Sequence, residues 1–356
     1  MSCGAVVPAA VRAGGNSKLK TQNYALCWFD MTSRGCDWRP AAPMEMLHLR
    51  AEILAKIRSF FAERDYLEVE TPVLASAPVT DLHLEALRCR YRGPGADGGR
   101  DLWLQTSPEF AMKRLLAAGS GAIYQIGKAF RNGEAGNRHN PEFTILEWYR
   151  PGWDHHALMD EIDELLGSIL GADAGERLTF AEAFERLAGI DVLRASAAEF
   201  GSRTRDLLVG EAPDLGEDRN GWLDLLLSHV IEPHLGCGRP SFVHDWPADR
   251  AALARVRPGD PPLAERFEVY VEGVELANGY HELADPAEQR RRFETDIESR
   301  RHAGLPEPPV DVHLLAALEH GLPECAGVAL GVDRLVMLAA GTQKISDVLA
   351  FPIDRA

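Results

Sequence analysis

The rhythm of apolar residues changes along this chain and marks out helices and strands before any chemistry is considered. From Leu49 to Arg64 apolar positions recur at helical spacing, and the segment leads into the β-rich stretch Tyr66-Leu67-Glu68-Val69-Glu70-Thr71-Pro72. Residues 106–116 read as a helix start, with Ser107 suited to the N-cap and Pro108 to the first turn. Ile123 to Phe130 is rich in β-formers, a polar stretch with Asn, Gly and Pro follows, and Phe143 to Tyr149 resumes an apolar and aromatic run. This predicts two strands joined by a loop, with Arg131 at the end of the first. On the second strand Phe143, Ile145, Glu147 and Tyr149 share one face, and Thr144, Leu146 and Trp148 share the other. A carboxylate and a phenol beside an aromatic make a poor core and a good cleft for a nucleotide ring and a cationic ligand.

Further along, residues 153–170 and 179–188 read as helices, and 191–235 as several helical patterns with acidic linkers. Residues 266–283 form two β-rich arms around Glu272-Gly273, a hairpin. Glu268, Glu275 and Glu282 lie on those arms, where spacing alone fits a solvent face as well as a site. A helix follows Pro286; its Arg290, Arg291, Arg292, Arg300 and Arg301 alternate with acids and read as a solvated mixed-charge face.

At 356 residues the chain is long enough for one large domain or two ordinary ones. A formal net charge of -16 disfavours a nucleic-acid partner, which usually meets a basic stripe. The six cysteines form no CxxC pair, so no zinc or disulfide framework is expected, as suits a reducing cytoplasm. No apolar run nears the roughly 18 residues of a membrane span, and no secretory signal is evident.

Three blocks together resemble the class II aminoacyl-tRNA synthetases. Residues 130–149 resemble motif 2, and the run Arg138-His139-Asn140-Pro141-Glu142-Phe143 with Glu147-Trp148-Tyr149 is similar to the lysyl branch. Residues 327–338 resemble motif 3, a strand entering a helix that carries Arg334; residues 49–72 resemble motif 1, the dimer-interface helix and strand. The resemblance implies an α+β fold, an antiparallel sheet flanked by helices, and a homodimer. About 45 residues precede motif 1, too few for the anticodon-binding OB barrel of a lysyl-tRNA synthetase, so residues 46–356 are expected to be a lone catalytic domain. Residues 1–45 are expected to be an extension, residues 1–30 of it disordered or untranslated, with Met31 an alternative start.

Over residues 45–356 the resemblance is to truncated lysyl-tRNA synthetase paralogues that activate (R)-β-lysine and transfer it to a lysine of elongation factor P. It implies ATP and Mg2+ as cofactors, (R)-β-lysine or L-lysine as substrate, and elongation factor P in place of tRNA as acceptor. Arg131 and Arg334 would contact phosphates, Phe143 would stack on adenine, and Asn132, Gly133, His139, Asn140, Leu276 and Gly331 would complete the ATP site. Glu268 and Glu275 would hold magnesium. Ser107, Pro108, Glu109, Glu147, Tyr149 and Glu282 would surround a diamino acid, with Ala329, a Gly in lysyl-tRNA synthetases, shaping the pocket for a β-amine. One departure stands out: Gly133 occupies a position usually held by a Glu that reads the adenine amino group, and Glu134 follows it. A minimal enzyme acting on RNA and a catalytically silent paralogue are the alternative readings.

Overall fold

A computed structural model describes residues 38–210 and 212–356. The chain divides into two units, Met1–Arg39 and Pro40–Ala356, and every element named here belongs to the second. The disorder expected of residues 1–30 and the alternative start at Met31 fall outside the described residues. The expected domain boundary after residue 45 moves: Ala41 and Ala42 already donate to the carbonyls of Ala350 and Leu349 at 2.7 and 3.2 Å, and the first helix begins at Met44.

In chain order, α1 (Met44–Ala62) leads to β1 (Leu67–Glu68), β2 (Leu74–Ala75), β3 (Arg88–Tyr91), β4 (Arg100–Leu104) and α2 (Glu109–Ala117). Then come β5 (Ile123–Phe130), β6 (Glu142–Pro151), α3 (His155–Leu170), β7 (Glu176–Thr179), α4 (Phe180–Ala188), α5 (Ala197–Leu207) and α6 (Arg219–Leu226). The rest is β8 (Ser241–Pro247), β9 (Val256–Arg257), β10 (Leu263–Val271), β11 (Val274–His281), α7 (Pro286–His302), α8 (Val312–Gly321), β12 (Cys325–Gly331) and α9 (Val332–Ala340). The main sheet runs β1-β5-β6-β12-β11-β10-β8-β7, with β9 against β10, and β2-β4-β3 form a small second sheet. Its centre is antiparallel as expected; the outermost pairs, β1 with β5 and β7 with β8, are parallel.

The alternation of β6 separates its two faces as the sequence predicts. Leu146 and Trp148 enter the main core with Ile57 and Phe61 of α1, Leu158 and Ile162 of α3, and Leu335 and Val336 of α9. Residues 180–235 build a second core, in which Phe180, Phe184, Phe200 and Trp222 pack on Val243 and Trp246 of β8. Among the described residues no helix is long and apolar enough to cross a membrane.

Two local devices set the positions of polar side chains on the sheet. Glu272 and Gly273 adopt φ of 50° and 68°, the consecutive left-handed residues of a type I′ hairpin turn. Beyond it the register steps from Tyr270↔Glu275 to Val269↔Ala277, so Leu276 is a β-bulge. Seven residues separate Glu275 from Glu282, an odd spacing that puts them on opposite faces of a regular strand; the extra residue restores them to one face. The second device is a clamp. Arg50 of α1 reaches Asp333 Oδ1 of α9 at 2.6 Å and Thr144 Oγ1 of β6 at 2.7 Å, while Thr144 N donates to Asp333 Oδ2 at 2.7 Å.

Candidate active site

The sheet face opposite the main core carries a cavity of about 730 Å³. Its floor is set by register: Ala329 of β12 lies between Glu147 of β6 and Asn278 of β11, and Gly327 lies between Tyr149 and Tyr280. Each of these residues lines the cavity. Gly327 is required there, because a Cβ would fall 2.2 Å from the Tyr149 ring and 2.5 Å from Glu282 Oε1.

One end of the cavity is acidic and buried. Glu147 accepts from Ser107 Oγ at 2.7 Å and from Tyr149 Oη at 2.6 Å. Between Glu109 and Glu282 stands Lys113, 1 % exposed, its Nζ 2.6 Å from Glu109 Oε1 and 2.5 Å from Glu282 Oε2. Both carboxylates expected to meet a substrate amine are therefore already paired with an internal ammonium. The sequence reading missed Lys113; its only local signal is the i,i+4 relation to Glu109 on α2. Burial pulls the Lys113 ammonium down, and the two carboxylates more than offset this and raise it. Burial, with Glu109 adding to it, raises Glu147 to about 7; burial raises Glu282 to about 8 despite Lys113 beside it. Glu147 and Glu282 are thus both shifted upward, chiefly by burial, around the one ammonium of Lys113, which opposes the shift. Burial also raises the Tyr149 phenol well above its usual range, so it stays a donor.

The start of α2 differs by one residue from expectation. Pro108 is the N-cap and does not line the cavity, while Ser107 Oγ accepts from Glu109 N at 3.0 Å and donates to Glu147. Ser107, by accepting the Glu109 N–H and donating to Glu147, joins the helix start to the acidic cluster.

The other end of the cavity is cationic. Arg131 lies 5.0 Å over the Phe143 ring, and its Nε has no partner among the described residues. Arg334, in the first turn of α9, donates to Glu275 O at 2.5 Å and to His139 Nε2 at 2.7 Å. Burial and then Arg334 lower the His139 pKa, leaving a neutral ring that accepts this bond. Asn140 lines the cavity, but its amide is spent on structure, donating to Glu142 O at 2.6 Å and accepting from Ile353 N at 2.9 Å. Leu276 and Gly331 line it as expected; Asn132 and Gly133 do not. The Asn132 N–H is turned to Glu85 O at 2.7 Å, and Gly133 has φ 79°, a conformation that strains any side chain there. Glu134 takes the lining position instead, 3.7 Å from Arg131.

Glu275 lines the cavity and Glu268 does not. Glu268 is 6 % exposed and accepts from Arg266 at 2.5 Å and from the Tyr270 hydroxyl. Glu232, from the 191–235 segment, joins these two acids: burial and then repulsion from Glu268 and Glu275 raise it to about 7, and Glu268 rises to a similar value, chiefly by burial. Carboxylates gathered in a buried place beside an unpartnered Asn278 Oδ1 suit a hard divalent cation that takes oxygen ligands.

A family model described as tRNA synthetases class II (D, K and N) matches residues 29–355. A protein of Yersinia enterocolitica named elongation factor P--(R)-beta-lysine ligase is 54 % identical over 324 residues, 91 % of this chain and 100 % of that protein. Proteins of the same name from Vibrio cholerae and Edwardsiella ictaluri are 55 % and 52 % identical, each covering 90 % of this chain and 99 % and 98 % of their own lengths.

Proposed function

Because the chain belongs to the class II tRNA synthetase family (D, K and N), we propose that it is a ligase that activates (R)-β-lysine with ATP and transfers it to a lysine side chain of elongation factor P. In the first step a carboxylate oxygen of the amino acid attacks the α-phosphorus of ATP and pyrophosphate leaves. In the second, the acceptor amine attacks the acyl carbon and AMP leaves.

The observation that carries this reading is the charge of the acidic end. When ionised, Glu109, Glu147 and Glu282 against Lys113 give three negative charges and one positive, a net of two negative, within reach of one ligand. Two ammonium groups of a diamino acid match that excess. An amino acid with a neutral side chain leaves a buried carboxylate unpaired, at about 3–5 kcal/mol. Ala329, on the floor between Glu147 and Asn278, sets where an amine fits, and L-lysine is the poorer substrate.

At the opposite end, Arg131 and Arg334 hold phosphate oxygens and offset charge as the α-phosphorus is attacked. Phe143 stacks on adenine; His139 holds Arg334 in place, and Glu134 replaces the side chain that Gly133 lacks. Mg2+ held by Glu268 and Glu275 would supply Lewis-acid charge to the phosphates. We place the reaction in the cytoplasm and assign a homodimer through α1 and β1, which sedimentation at micromolar concentration tests. ATP-pyrophosphate exchange with each lysine, followed by transfer to purified elongation factor P or to tRNA, tests the main reading. Exchange without transfer to the factor, or charging of tRNA, refutes it.

A further inference from the structure

We propose that His155, Glu265 and His281 form a second, buried site, for a zinc-class divalent cation, outside the catalytic cavity. One ligand atom from each lies within 4.8 Å of the others. All are buried, at 2 %, 5 % and 3 % exposure. His155 opens α3, Glu265 lies in β10 and His281 ends β11, so the group joins a helix to the hairpin. Glu265 and His281 face away from their neighbours Arg266 and Glu282, which line the catalytic cavity.

Three observations point to a ligand. Both ring nitrogens of His155 and Nε2 of His281 lack a hydrogen-bond partner among the described residues. A buried polar atom left idle costs about 1–3 kcal/mol, so a histidine here is poorly used as packing. Second, charge is left over. Asp154, Asp245, Glu265 and Glu324 surround the histidines; among the described residues the fixed cations paired with them are Arg255 and Arg257, and the His244 ring lies 3.4 Å from Asp245. Four negative charges less two positive leave two negative, the complement of a dication. Third, more ligands are at hand: Glu324 Oε1 is 3.2 Å from His281 Nε2, and the His156 ring is 4.1 Å from that of His155. Burial keeps both histidines neutral, the form that binds metal.

Two imidazoles and a carboxylate favour zinc over magnesium, which takes oxygen ligands. Ligand distances of about 2.0–2.2 Å draw the three side chains together, and Arg255, 2.5 Å from the Glu265 oxygen that lies 3.3 Å from His281 Nδ1, holds the carboxylate in place. The ion would pin the end of β11 next to Glu282.

The test uses the full chain without a tag, stripped by chelator and titrated with Zn2+ against a chromophoric competitor. Melting curves and metal analysis are run on the same samples. His155→Ala, which breaks no hydrogen bond, and Glu265→Gln are each expected to bind one equivalent fewer than wild type and to lose the zinc-induced rise in melting temperature. ATP-pyrophosphate exchange by His155→Ala with Mg2+ is expected to stay within about twofold of wild type, since His155 lies outside the cavity. A wild type that binds no zinc, or variants that bind as much as wild type, overturns the assignment.

Discussion

Lys113→Met removes the ammonium from the acidic end of the cavity and keeps most of the stem that fills its space. Lys113 is 1 % exposed and touches Glu109 and Glu282 at 2.6 and 2.5 Å, so the substitution leaves buried carboxylates facing one another. Breaking a buried pair in this way costs about 3–5 kcal/mol. With a urea slope of about 3 kcal/mol/M, the midpoint falls by about 1–1.7 M. The loss must depend on pH. Burial already holds Glu282 at about 8, above its unfolded value, and without Lys113 it goes higher. A carboxyl raised in this way contributes stability that is fully present below the unfolded pKa and is lost as pH rises through the folded one. Each further unit in the variant is worth about 1.4 kcal/mol. The gap between variant and wild type is therefore narrow near pH 6 and wide near pH 9. Urea unfolding of both proteins at the two pH values, followed by tryptophan fluorescence, reads it. A deficit of equal size at both would mean that Lys113 contributes packing alone.

Three further outcomes are expected. Glu275→Gln and Arg334→Ala each lower adenylate formation by at least about 10²-fold with unchanged circular dichroism melts, because both groups face the cavity and not the core; exchange near the wild-type rate removes that residue from the ATP site. Ala329→Gly shifts the ratio of specificity constants toward L-lysine by about tenfold, the worth of one methyl at a pocket wall, and an unchanged ratio means Ala329 does not read the amine. Since Glu147 and Glu282 sit at about 7 and 8 in the empty site and must be ionised to hold ammonium groups, KM for the amino acid falls as pH rises through that range and levels above it; a flat profile contradicts the assignment.

The face pattern of β6 was legible because a period of two needs only neighbours: Leu146 and Trp148 are in the core, Glu147 and Tyr149 in the cavity. The Glu272-Gly273 turn and the passage from β12 into α9 were legible for the same local reason. Glu275 was identified only through the family resemblance, since its phase depends on a bulge at Leu276 that no local pattern announces. Lys113 went unmarked in the sequence because its partner Glu282 is distant along the chain and meets it only through the fold. Glu232 was passed over inside a helical segment with no motif, and the parallel pairing of β1 with β5 joins segments whose own sequences do not specify each other. Asn132 and Gly133 were assigned by position in a motif, whereas loop geometry turns one N–H to Glu85 and gives the other a left-handed φ.

The contact of Arg50 with Asp333 and Thr144 bears on how activity is acquired. Its three bonds span 283, 94 and 189 residues of chain. Contacts so distant form only after long loops have closed, which places them late in folding. Phe143 and Arg334 sit one residue from two corners of that triangle, so the ATP end has no assembled precursor in a partly folded chain. Recovery of adenylation during refolding should therefore track the last global phase, and fragments that keep each motif's own helix and strand but lack the others have nothing to align.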